Sequence, residues 1–467
     1  MAIKLSAREI ALAIQAVRNG ASNDIIPAGY SIDSRTLRSG DCFIAIHGQN
    51  FDGHQFIADA IKKEACLIIA RSNCQFPVEP SWPVLYVNDT LAALQNLANY
   101  VRRKWGKIVI GITGSIGKTT TKEIAGFILE SLFKVFKSVG NFNNDYGLPL
   151  SILKIEESHD IAVLEMGMSH SGEIARLCQI AQPSIGVVTN VRPVHLENFK
   201  SLQGIAQAKR ELIESLTSDG IGILNNDDRL VRKFGHSFPG RVVTFGIKTP
   251  ATYRVTDVRF EGLKGNEFRL DHKSRAHLMH LPLIGEHNIC NCLPGIAIAH
   301  HLGLGFEIIA QRMEQLKPSS GRGEILHFKE NFSVLNDTYN SNPAALETMV
   351  KFVKRLNGYK RKIIIAGEML ELGPAAQQYH HDCGSLIVDA RIDLIVGVRG
   401  LAEHFIAPAR ERGYDASCAP FFEDSEAAGE WLNREVRSGD LILVKGSRGV
   451  KTEKVIEVLK RDHALAG

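Results

Sequence analysis

Short apolar runs alternate with amphipathic stretches along most of the chain, which is typical of strands and helices that follow one another. In the middle of the chain, helical segments separate most of four apolar runs, at 109–112, 161–164, 185–189 and 222–224. This alternation predicts a mainly parallel sheet with helices on both faces. Residues 252–284 instead alternate around two glycines, which predicts an antiparallel meander, and a helix near 290–302 follows it.

The same alternation returns in the last third of the chain, with apolar runs at 333–335, 362–366, 392–396 and 441–444. Each of these runs ends in a polar or glycine-rich loop. In open α/β sheets, ligands bind at the carboxyl ends of the strands, so these loops are the places to look for a binding site.

The first hundred residues form a smaller α/β pattern. Ser6 is placed to cap one helix, and Asp89 or Thr90 to cap another. Short strands are predicted at 41–46 and 66–70, and a linker at residues 104–107. The chain is therefore predicted to be an α/β protein of three domains, at 1–105, 106–318 and 319–467.

The bulk composition narrows the class of protein. Lys and Arg number 55 against 51 Asp and Glu, so the net charge of +4 is too weak for a nucleic-acid stripe or a membrane-binding face. No apolar run reaches the roughly 18 residues of a membrane span, and the amino terminus lacks the apolar core of a signal peptide. The eight cysteines include no C-x-x-C pair. These features predict a cytoplasmic, multidomain enzyme that binds no nucleic acid.

The most specific chemical signal is the segment 109–120, where a β-branched run leads into a glycine-rich turn and a Lys-Thr pair. Glycines let backbone N–H groups approach an anion, and the following helix N-terminus adds positive potential. Lys118 is expected to reach terminal phosphates, and Thr119 to hold Mg²⁺. The common pattern G-x-x-x-x-G-K-[ST] has a glycine where Ile112 stands, and Gly111 lies one residue too early. The expected phosphate contacts are Gly114, Ser115, Gly117, Lys118, Thr119 and Thr120.

Three further candidates lie after the phosphate loop. Glu165, at the tip of an apolar run, is a candidate Mg²⁺ ligand, and its alternative is a solvated strand end. His195 lies on the next strand-end loop, where a neutral imidazole could ligate a second metal or serve as a structural hydrogen-bonding group. For Lys209, the spacing alone favours a helix with a solvated, charged face.

The second half of the chain adds polar loops at strand ends. Asn288 opens a helix and could read an adenine edge or cap that helix, while Arg322 between two glycines is a flexible fork for phosphate. Residues 336–343 are eight polar or turn residues in a row, which favours a binding loop. Residues 366–373 also follow a strand, and the Lys-Gly-Ser-Arg loop at 445–448 is either an anion site or a basic surface turn.

Taken together, these segments resemble the Mur ligase family. Its form of the phosphate loop is Gly-x-Thr-Gly-Ser-x-Gly-Lys-Thr, which explains the shifted glycine. The strings at 140–145, 337–343 and 367–373 are similar to those of the branch that adds D-alanyl-D-alanine, and the strings at 33–35 and 51–54 resemble the UDP-sugar domain of that branch.

This resemblance implies a small UDP-muramoyl-binding domain, a central phosphate-loop ATPase domain and a Rossmann-like carboxyl-terminal domain. It also implies the reaction of ATP, UDP-N-acetylmuramoyl-tripeptide and D-alanyl-D-alanine to the pentapeptide precursor, ADP and phosphate. The tripeptide carboxylate would become an acyl phosphate, which the dipeptide amine then attacks. Family members are generally monomers.

The resemblance also implies roles for individual residues. Thr119 and Glu165 would hold one Mg²⁺ and His195 a second, which a carbamylated Lys209 would support; Lys118 completes the catalytic set. The remaining nucleotide contacts would be Asn288 to adenine, Arg322 to phosphates and Asp337 to ribose. The substrate contacts would be Ser34 and Arg35 on the uridine side, and Asn143, Asn144, Tyr339, Asn340, Lys445 and Arg448.

Other functions remain open at this stage. One is a family ligase that adds a single amino acid, or a folylpolyglutamate synthase. Another is a nucleotide-binding regulatory protein without turnover, and a third is a phosphate-loop kinase or motor. The strings at 336–343 and 367–373 argue against the first, and the complete set of candidate catalytic residues argues against the second. The lack of a nucleic-acid surface argues against a motor.

Overall fold

A computed structural model describes residues 2–19, 23–48, 52–74, 82–140, 142–194, 197–199 and 201–466. The first region has the strands β1 (Val17–Asn19), β2 (Tyr30–Ser31), β3 (Cys42–Ile44), β4 (Leu67–Arg71) and β5 (Val84–Val87), and the helices α1 (Ala7–Ala13), α2 (Ile57–Lys62) and α3 (Thr90–Trp105). The strands form one sheet in the order β1-β5-β4-β3-β2. Only the β1–β5 pair is antiparallel.

The helix caps predicted in this region are confirmed. Ser6 and Glu9 form a reciprocal capping box at the start of α1. Asp89, not Thr90, is the N-cap of α3, and its carboxylate accepts from two backbone N–H groups of the first turn. The predicted linker at 104–107 is wrong in its first half, because α3 continues to Trp105. That indole is only 7% exposed and donates to the His159 carbonyl, so the segment packs against the next region.

The middle region contains the largest sheet. Its strands are β6 (Ile108–Thr113), β7 (Val135–Lys137), β8 (Ile161–Glu165), β9 (Ile185–Val188), β10 (Ile221–Asn225), β11 (Arg241–Gly246), β12 (Tyr253–Phe260), β13 (Asn266–His272) and β14 (Arg275–Leu281). Its helices are α4 (Lys118–Leu129), α5 (Gly147–Ile152), α6 (Glu173–Ala181), α7 (Leu202–Glu214), α8 (Glu286–His301) and α9 (Phe306–Met313). The strand order is β14-β13-β12-β11-β10-β9-β6-β8-β7.

The seven strands β6 to β12 are all parallel to their neighbours in this order. Strands β12, β13 and β14 form the predicted antiparallel meander. The central strands are apolar throughout because both faces of the sheet are covered. Along β6, Val109 faces one buried cluster, whereas Ile110 and Ile112 face the other. The first cluster also contains α3 side chains such as Leu94, so the first region and the middle sheet share a core.

The last region has the strands β15 (Glu324–His327), β16 (Ser333–Asp337), β17 (Arg361–Gly367), β18 (Leu394–Val398), β19 (Phe421–Phe422) and β20 (Asp440–Lys445). Its helices are α10 (Pro343–Arg355), α11 (Ala376–Asp389), α12 (Glu403–Glu411), α13 (Ser425–Glu435) and α14 (Glu453–Asp462). The strand order is β15-β16-β20-β17-β18-β19, parallel except for β15.

The predicted α/β fold class with mainly parallel sheets is confirmed. All eight apolar runs predicted in the middle and last regions are strands, although β18 begins two residues later than its run. The domain boundaries at 105 and 318 stay a prediction. Within the described part of the chain, no helix combines the length and apolarity needed to cross a membrane.

Candidate active site

The phosphate loop connects β6 to α4, as the sequence predicts, and it is tied to the loop after β9. Ser115 N–H donates to the Asn190 carbonyl at 3.0 Å, and Ile116 N–H donates to the Asn190 side-chain oxygen at 3.1 Å. The Ser115 hydroxyl donates to the Arg192 carbonyl and accepts from the Arg192 N–H. The loop shape is therefore fixed by neighbouring protein groups, and Ser115 binds the next loop through its side chain.

Lys118 is the first residue of α4, and its side chain folds over the loop. Its Nζ donates to the Gly114 carbonyl at 2.9 Å and to the Ser115 carbonyl at 3.4 Å. Burial lowers the pKa of Lys118; the Glu165 carboxylate opposes this shift and the Arg322 guanidinium adds to it. The charge of the Lys118 ammonium is thus influenced by two other candidate residues, Glu165 and Arg322.

Gly117 is in a left-handed conformation that the phosphate loop requires, and replacing it should reduce the stability of the protein. Its φ is +85°, and a Cβ there would lie 2.1 Å from the Asn291 side-chain oxygen. Gly117→Ala is expected to reduce stability by more than the roughly 1–2 kcal/mol of the left-handed backbone alone, because Asn291 must also move. Gly172→Ala is the matched control: its φ is +86°, and its Cβ would meet none of the described atoms within 4 Å. Urea unfolding of both variants checks this, and equal losses would contradict it.

Four segments that are distant in sequence meet beside Lys118. The Thr119 hydroxyl donates to Glu165 Oε2 at 2.6 Å and accepts from Arg322 Nη2 at 3.0 Å. Asn143 Nδ2 donates to the other carboxylate oxygen, Glu165 Oε1, at 2.8 Å. Glu165 ends β8 and is 3% exposed. The predicted pairing of Thr119 with Glu165 is thus present as direct contact, and a solvated strand end is excluded.

The environment of Lys209 differs from the solvated helix face that the residue spacing predicts. It lies on α7, as predicted, but it is 2% exposed and not part of a solvated face. Among the residues that the structure describes, none forms a hydrogen bond or ion pair with its Nζ. Burial, with a smaller effect of Lys118, lowers the pKa of Lys209 well below its ordinary value. Lys209 is therefore a buried lysine near Lys118 whose neutral form is favoured by its surroundings. His195 lies outside the described residues.

A cavity of about 360 Å³ adjoins the phosphate loop between α4, the start of α8 and the segment before Arg322. Thr120, Asn288, Leu316 and Pro318 are among its lining residues. Asn288 is buried; its amide donates to the Ile284 carbonyl at 2.8 Å and its oxygen accepts from Asn291. The N-cap of α8 is Gly285, without a side-chain cap bond, so the predicted capping role of Asn288 is wrong. Asn288 lines the cavity, and its contact with adenine stays a prediction.

The last region contributes an ion pair between a buried lysine and a partly buried aspartate, and two arginines. Lys445 Nζ lies 2.6 Å from Asp337 Oδ2 and also donates to the Asn340 carbonyl at 2.9 Å. The Tyr339 ring lies 3.8 Å from the Arg322 guanidinium carbon, measured to the ring centroid. Arg448 is exposed and pairs with Glu453. Lys445 is thus not part of a basic surface turn, whereas Arg448 lies on the surface.

The remaining candidates lie apart from this cluster. Ser34 is buried, and the exposed Arg35 pairs with Asp33 in the first region. The Asn144 side-chain oxygen accepts from the backbone N–H groups of Tyr146 and Gly147, in the turn that leads into α5.

One group of three residues with metal-binding side chains occurs in the described ranges: Asp52, His54 and Cys74. Both ring nitrogens of His54 are already engaged, since Nδ1 lies 2.5 Å from Asp52 and Nε2 accepts from the Arg71 N–H. This group therefore offers no free imidazole to a metal.

Sequence reasoning missed two contacts of the cluster. Asn143 is predicted to bind substrate, which stays a prediction, and its side chain also donates to Glu165. Tyr339 was expected to face an amino-acid substrate, and one face of its ring is covered by Arg322. Neither pair has a local signal, because a single sequence does not reveal which strand-end loops become neighbours.

Comparison with known families accounts for most of the chain. The description "Mur ligase family, catalytic domain" matches residues 28–102, "Mur ligase middle domain" matches 112–299, and "Mur ligase, glutamate ligase domain" matches 321–448. These three ranges follow one another in the order of the three sheets.

Individual proteins give the same result. UDP-N-acetylmuramoyl-tripeptide–D-alanyl-D-alanine ligase of Bacillus subtilis is 34% identical over 431 residues, which cover 92% of this chain and 93% of that protein. A crystal structure of MurF from Acinetobacter baumannii superposes with a TM-score of 0.89 at 28% identity and covers 99% of this chain and 100% of that one. MurF ligase from Thermotoga maritima in complex with ADP gives 0.81 at 29% identity, with 93% and 97% covered.

Proposed function

Because the chain belongs to the Mur ligase family, we propose that it adds D-alanyl-D-alanine to UDP-N-acetylmuramoyl-tripeptide with hydrolysis of ATP. The reaction is a step of peptidoglycan precursor synthesis. The observation that carries this proposal is the meeting of Thr119, Glu165 and Arg322 beside Lys118. Such a cluster of cations and a carboxylate suits a reaction in which two anions, a carboxylate and a polyphosphate, must approach each other.

We propose that ATP binds between the middle and last regions. We propose that the adenine base occupies the cavity beside Asn288 and that the phosphates lie along the loop, with its Gly114, Ser115 and Gly117, and along the first turn of α4. Asp337 would bind the ribose: its Oδ2 is taken by Lys445, and its Oδ1 accepts no hydrogen bond from any of the described residues. The ADP complex of the Thermotoga maritima relative supports a nucleotide site in this fold.

The donor set beside Lys118 fits a magnesium ion. A hydroxyl and a buried carboxylate oxygen 2.6 Å apart are hard oxygen ligands of the kind Mg²⁺ selects. We propose that Thr119 and Glu165 hold one ion and that His195 holds a second. Bound there, Mg²⁺ would neutralise charge on the phosphates. Asn143 would orient the Glu165 carboxylate through its hydrogen bond, in addition to the substrate contact proposed for it.

Lys209 fits a carbamate. Only a neutral amine attacks CO₂, and burial lowers the pKa of Lys209, which favours the neutral form. As the Nζ–C bond forms, one C–O π bond of CO₂ breaks and its electrons become the carboxylate charge. The amine releases one proton to solvent, so a neutral side chain becomes an anion. We propose that this anion supports the second metal site. The absence of any described partner for Nζ leaves the amine free for this bond.

In the proposed mechanism, the tripeptide carboxylate attacks the γ-phosphate of ATP. Lys118 and Arg322 offset the negative charge that gathers on the phosphate oxygens. ADP leaves, and the dipeptide amine adds to the acyl phosphate carbon to give a tetrahedral intermediate, which releases phosphate. Residues from the middle and last regions both contribute, so closure of the two regions around the substrates would exclude water.

The substrate side remains a proposal at the level of individual residues. Ser34 and Arg35 would bind the uridine end, with Asn144 nearer the peptide. Tyr339, Asn340, Lys445 and Arg448 lie at the carboxyl edge of the last sheet, where the dipeptide would enter. The proposed location is the cytoplasm, where ATP is available. A monomer is proposed because members of the family are generally monomers.

A substrate panel tests the proposed function. Phosphate release from Mg²⁺-ATP is measured with UDP-N-acetylmuramoyl-tripeptide plus D-alanyl-D-alanine, and with each substrate alone. We expect release to require both substrates and to exceed the single-substrate rates by about tenfold or more, since only the amine completes the turnover. Tripeptides ending in diaminopimelate and in lysine are compared in parallel, because either could be the third residue.

Two further arms serve as controls for this panel. Single D-alanine replaces the dipeptide in one arm, and UDP-N-acetylmuramoyl-dipeptide with a free diamino acid replaces both substrates in the other. Release that is equally fast without D-alanyl-D-alanine would refute the proposal. Release only in the second control arm would identify a ligase for the third residue instead.

A further inference from the structure

Arg322 reaches the phosphate end of the site from an unusual backbone position. Both of its neighbours, Gly321 and Gly323, have left-handed φ values of +70° and +72°. No carboxylate among the described residues forms an ion pair with its guanidinium, whose one hydrogen bond to a described side chain goes to Thr119. Fixing a long arginine side chain, on a backbone flanked by two glycines, costs conformational entropy. Contacts with other residues must offset this cost if the guanidinium is to keep one position.

Tyr339 is the group that covers this guanidinium. The Arg322 carbon lies 3.8 Å from the ring centroid, well inside the roughly 6 Å range of a cation–π contact. The two segments are also joined along the backbone, since Tyr339 N–H donates to the Gly321 carbonyl at 3.1 Å. Gly321 leaves room for this approach, because a Cβ there would lie 3.1 Å from the Thr338 hydroxyl.

We propose that Tyr339 is a positioning residue that holds Arg322 against Thr119 and thereby sets the affinity of the site for nucleoside triphosphate. The ring faces the Arg322 guanidinium, which donates to the Thr119 hydroxyl. Tyr339 thereby connects the last region to the phosphate loop through Arg322. This inference rests on the proposed ATP site, and it goes beyond the dipeptide contact that the resemblance implies for Tyr339.

The contact geometry favours Arg322 over the other arginine near this ring. Arg448 lies 5.9 Å from the same centroid and has a carboxylate partner in Glu453. Arg322 is 2.1 Å closer by the difference of the two distances and has no carboxylate partner among the described residues. The ring therefore stabilises the orientation of Arg322 far more than that of Arg448.

Nucleotide binding to the full-length protein tests this role. Titration calorimetry with a non-hydrolysable ATP analogue and Mg²⁺ gives Kd for Tyr339→Leu and Tyr339→Phe. Leucine keeps the bulk but removes the π face, so we expect Kd to rise about fivefold to thirtyfold. Phenylalanine keeps the face, and its Kd is expected to remain within about twofold of the parent value.

A double-mutant cycle separates positioning from general damage. In an Arg322→Gln background, Tyr339→Leu is expected to change Kd by less than about twofold, because the guanidinium that the ring holds is gone. Tyr359→Leu is the matched control for the same change in the same region. Tyr359 packs on the core near Ser333, at the other end of β16, and its loss should lower stability without this coupling.

The outcomes are distinct. Additive effects in the cycle, or a Kd that is unchanged in Tyr339→Leu while KM for D-alanyl-D-alanine rises, would overturn the positioning role. A Tyr339→Phe variant as weak as Tyr339→Leu would also overturn it, because the hydroxyl rather than the ring face would then matter. Failure of the parent protein to bind the analogue would instead refute the proposed ATP site, and the inference with it.

Discussion

Lys209→Ala is expected to lower kcat by at least about a hundredfold, and a small carboxylate in the buffer should restore part of the loss. The reason is the environment of the amine, which is 2% exposed and has no described partner. If CO₂ converts it to an anion, removing the side chain takes away a charge that a free carboxylate can replace. The measurement is phosphate release in the presence and absence of acetate or formate.

Two variants separate the carbamate from other roles of this lysine. Lys209→Arg keeps a positive charge but cannot carry CO₂, so full activity in Lys209→Arg would exclude the carbamate. Arg210→Ala is the matched control: Arg210 follows Lys209 on α7 and pairs with Glu214 in a partly exposed ion pair. Such a pair contributes little to stability, so Arg210→Ala should retain the parental kcat.

The burial of Lys209 should also affect how the free energy of unfolding depends on pH in CO₂-free, metal-free buffer. Because its folded pKa lies below 10.5, the unfolded chain binds more protons between the two pKa values. The stability of the parent protein therefore rises with pH across that window, and the cost of burying the lysine disappears above 10.5. Lys209→Met removes this cost, so near neutral pH its free energy of unfolding should be about 0.5–2 kcal/mol higher. Urea unfolding against pH checks this, and a less stable Lys209→Met protein would contradict it.

Local signals explain which parts of the site could be predicted from the sequence. Lys118 and Thr119 were predicted because a β-branched strand, two glycines and a helix start follow one another directly. Glu165 is predicted because an acidic residue ends an apolar run after a phosphate loop. The structure then places it beside the loop, since β6 and β8 are neighbours in a parallel sheet. In each case the signal lies in a few consecutive residues, and at most one strand pairing is needed to bring the side chains together.

Contacts between distant segments could not be predicted in this way. The spacing of α7 suggested a solvated face for Lys209, and the structure buries it because α7 packs against the central sheet through neighbours such as Leu212. Asn143 and Glu165 are 22 residues apart, and Arg322 and Thr119 are 203 apart. Such pairs depend on how whole sheets are placed, and the family resemblance indicated Lys209 without explaining its burial.

Glu165→Gln is expected to lower kcat by on the order of a hundredfold to a thousandfold and to raise the Mg²⁺ concentration needed for half-maximal activity. The glutamine keeps the shape of the side chain and can still hydrogen-bond with Thr119 and Asn143, so the loop should keep its structure. What disappears is the negative charge. Magnesium titrations of phosphate release measure the effect, with Glu347→Gln, an exposed carboxylate paired with Lys351, as the control.

The pH profile of Glu165→Gln should change in a defined direction. The Glu165 carboxylate raises the pKa of Lys118 against burial and Arg322, so its removal lowers that pKa further. Lys118 must be protonated to offset phosphate charge, and the alkaline decline in kcat should therefore begin at lower pH in Glu165→Gln than in the parent protein. An unchanged alkaline limb together with an unchanged Mg²⁺ requirement would show that Glu165 neither holds the metal nor supports the charge of Lys118.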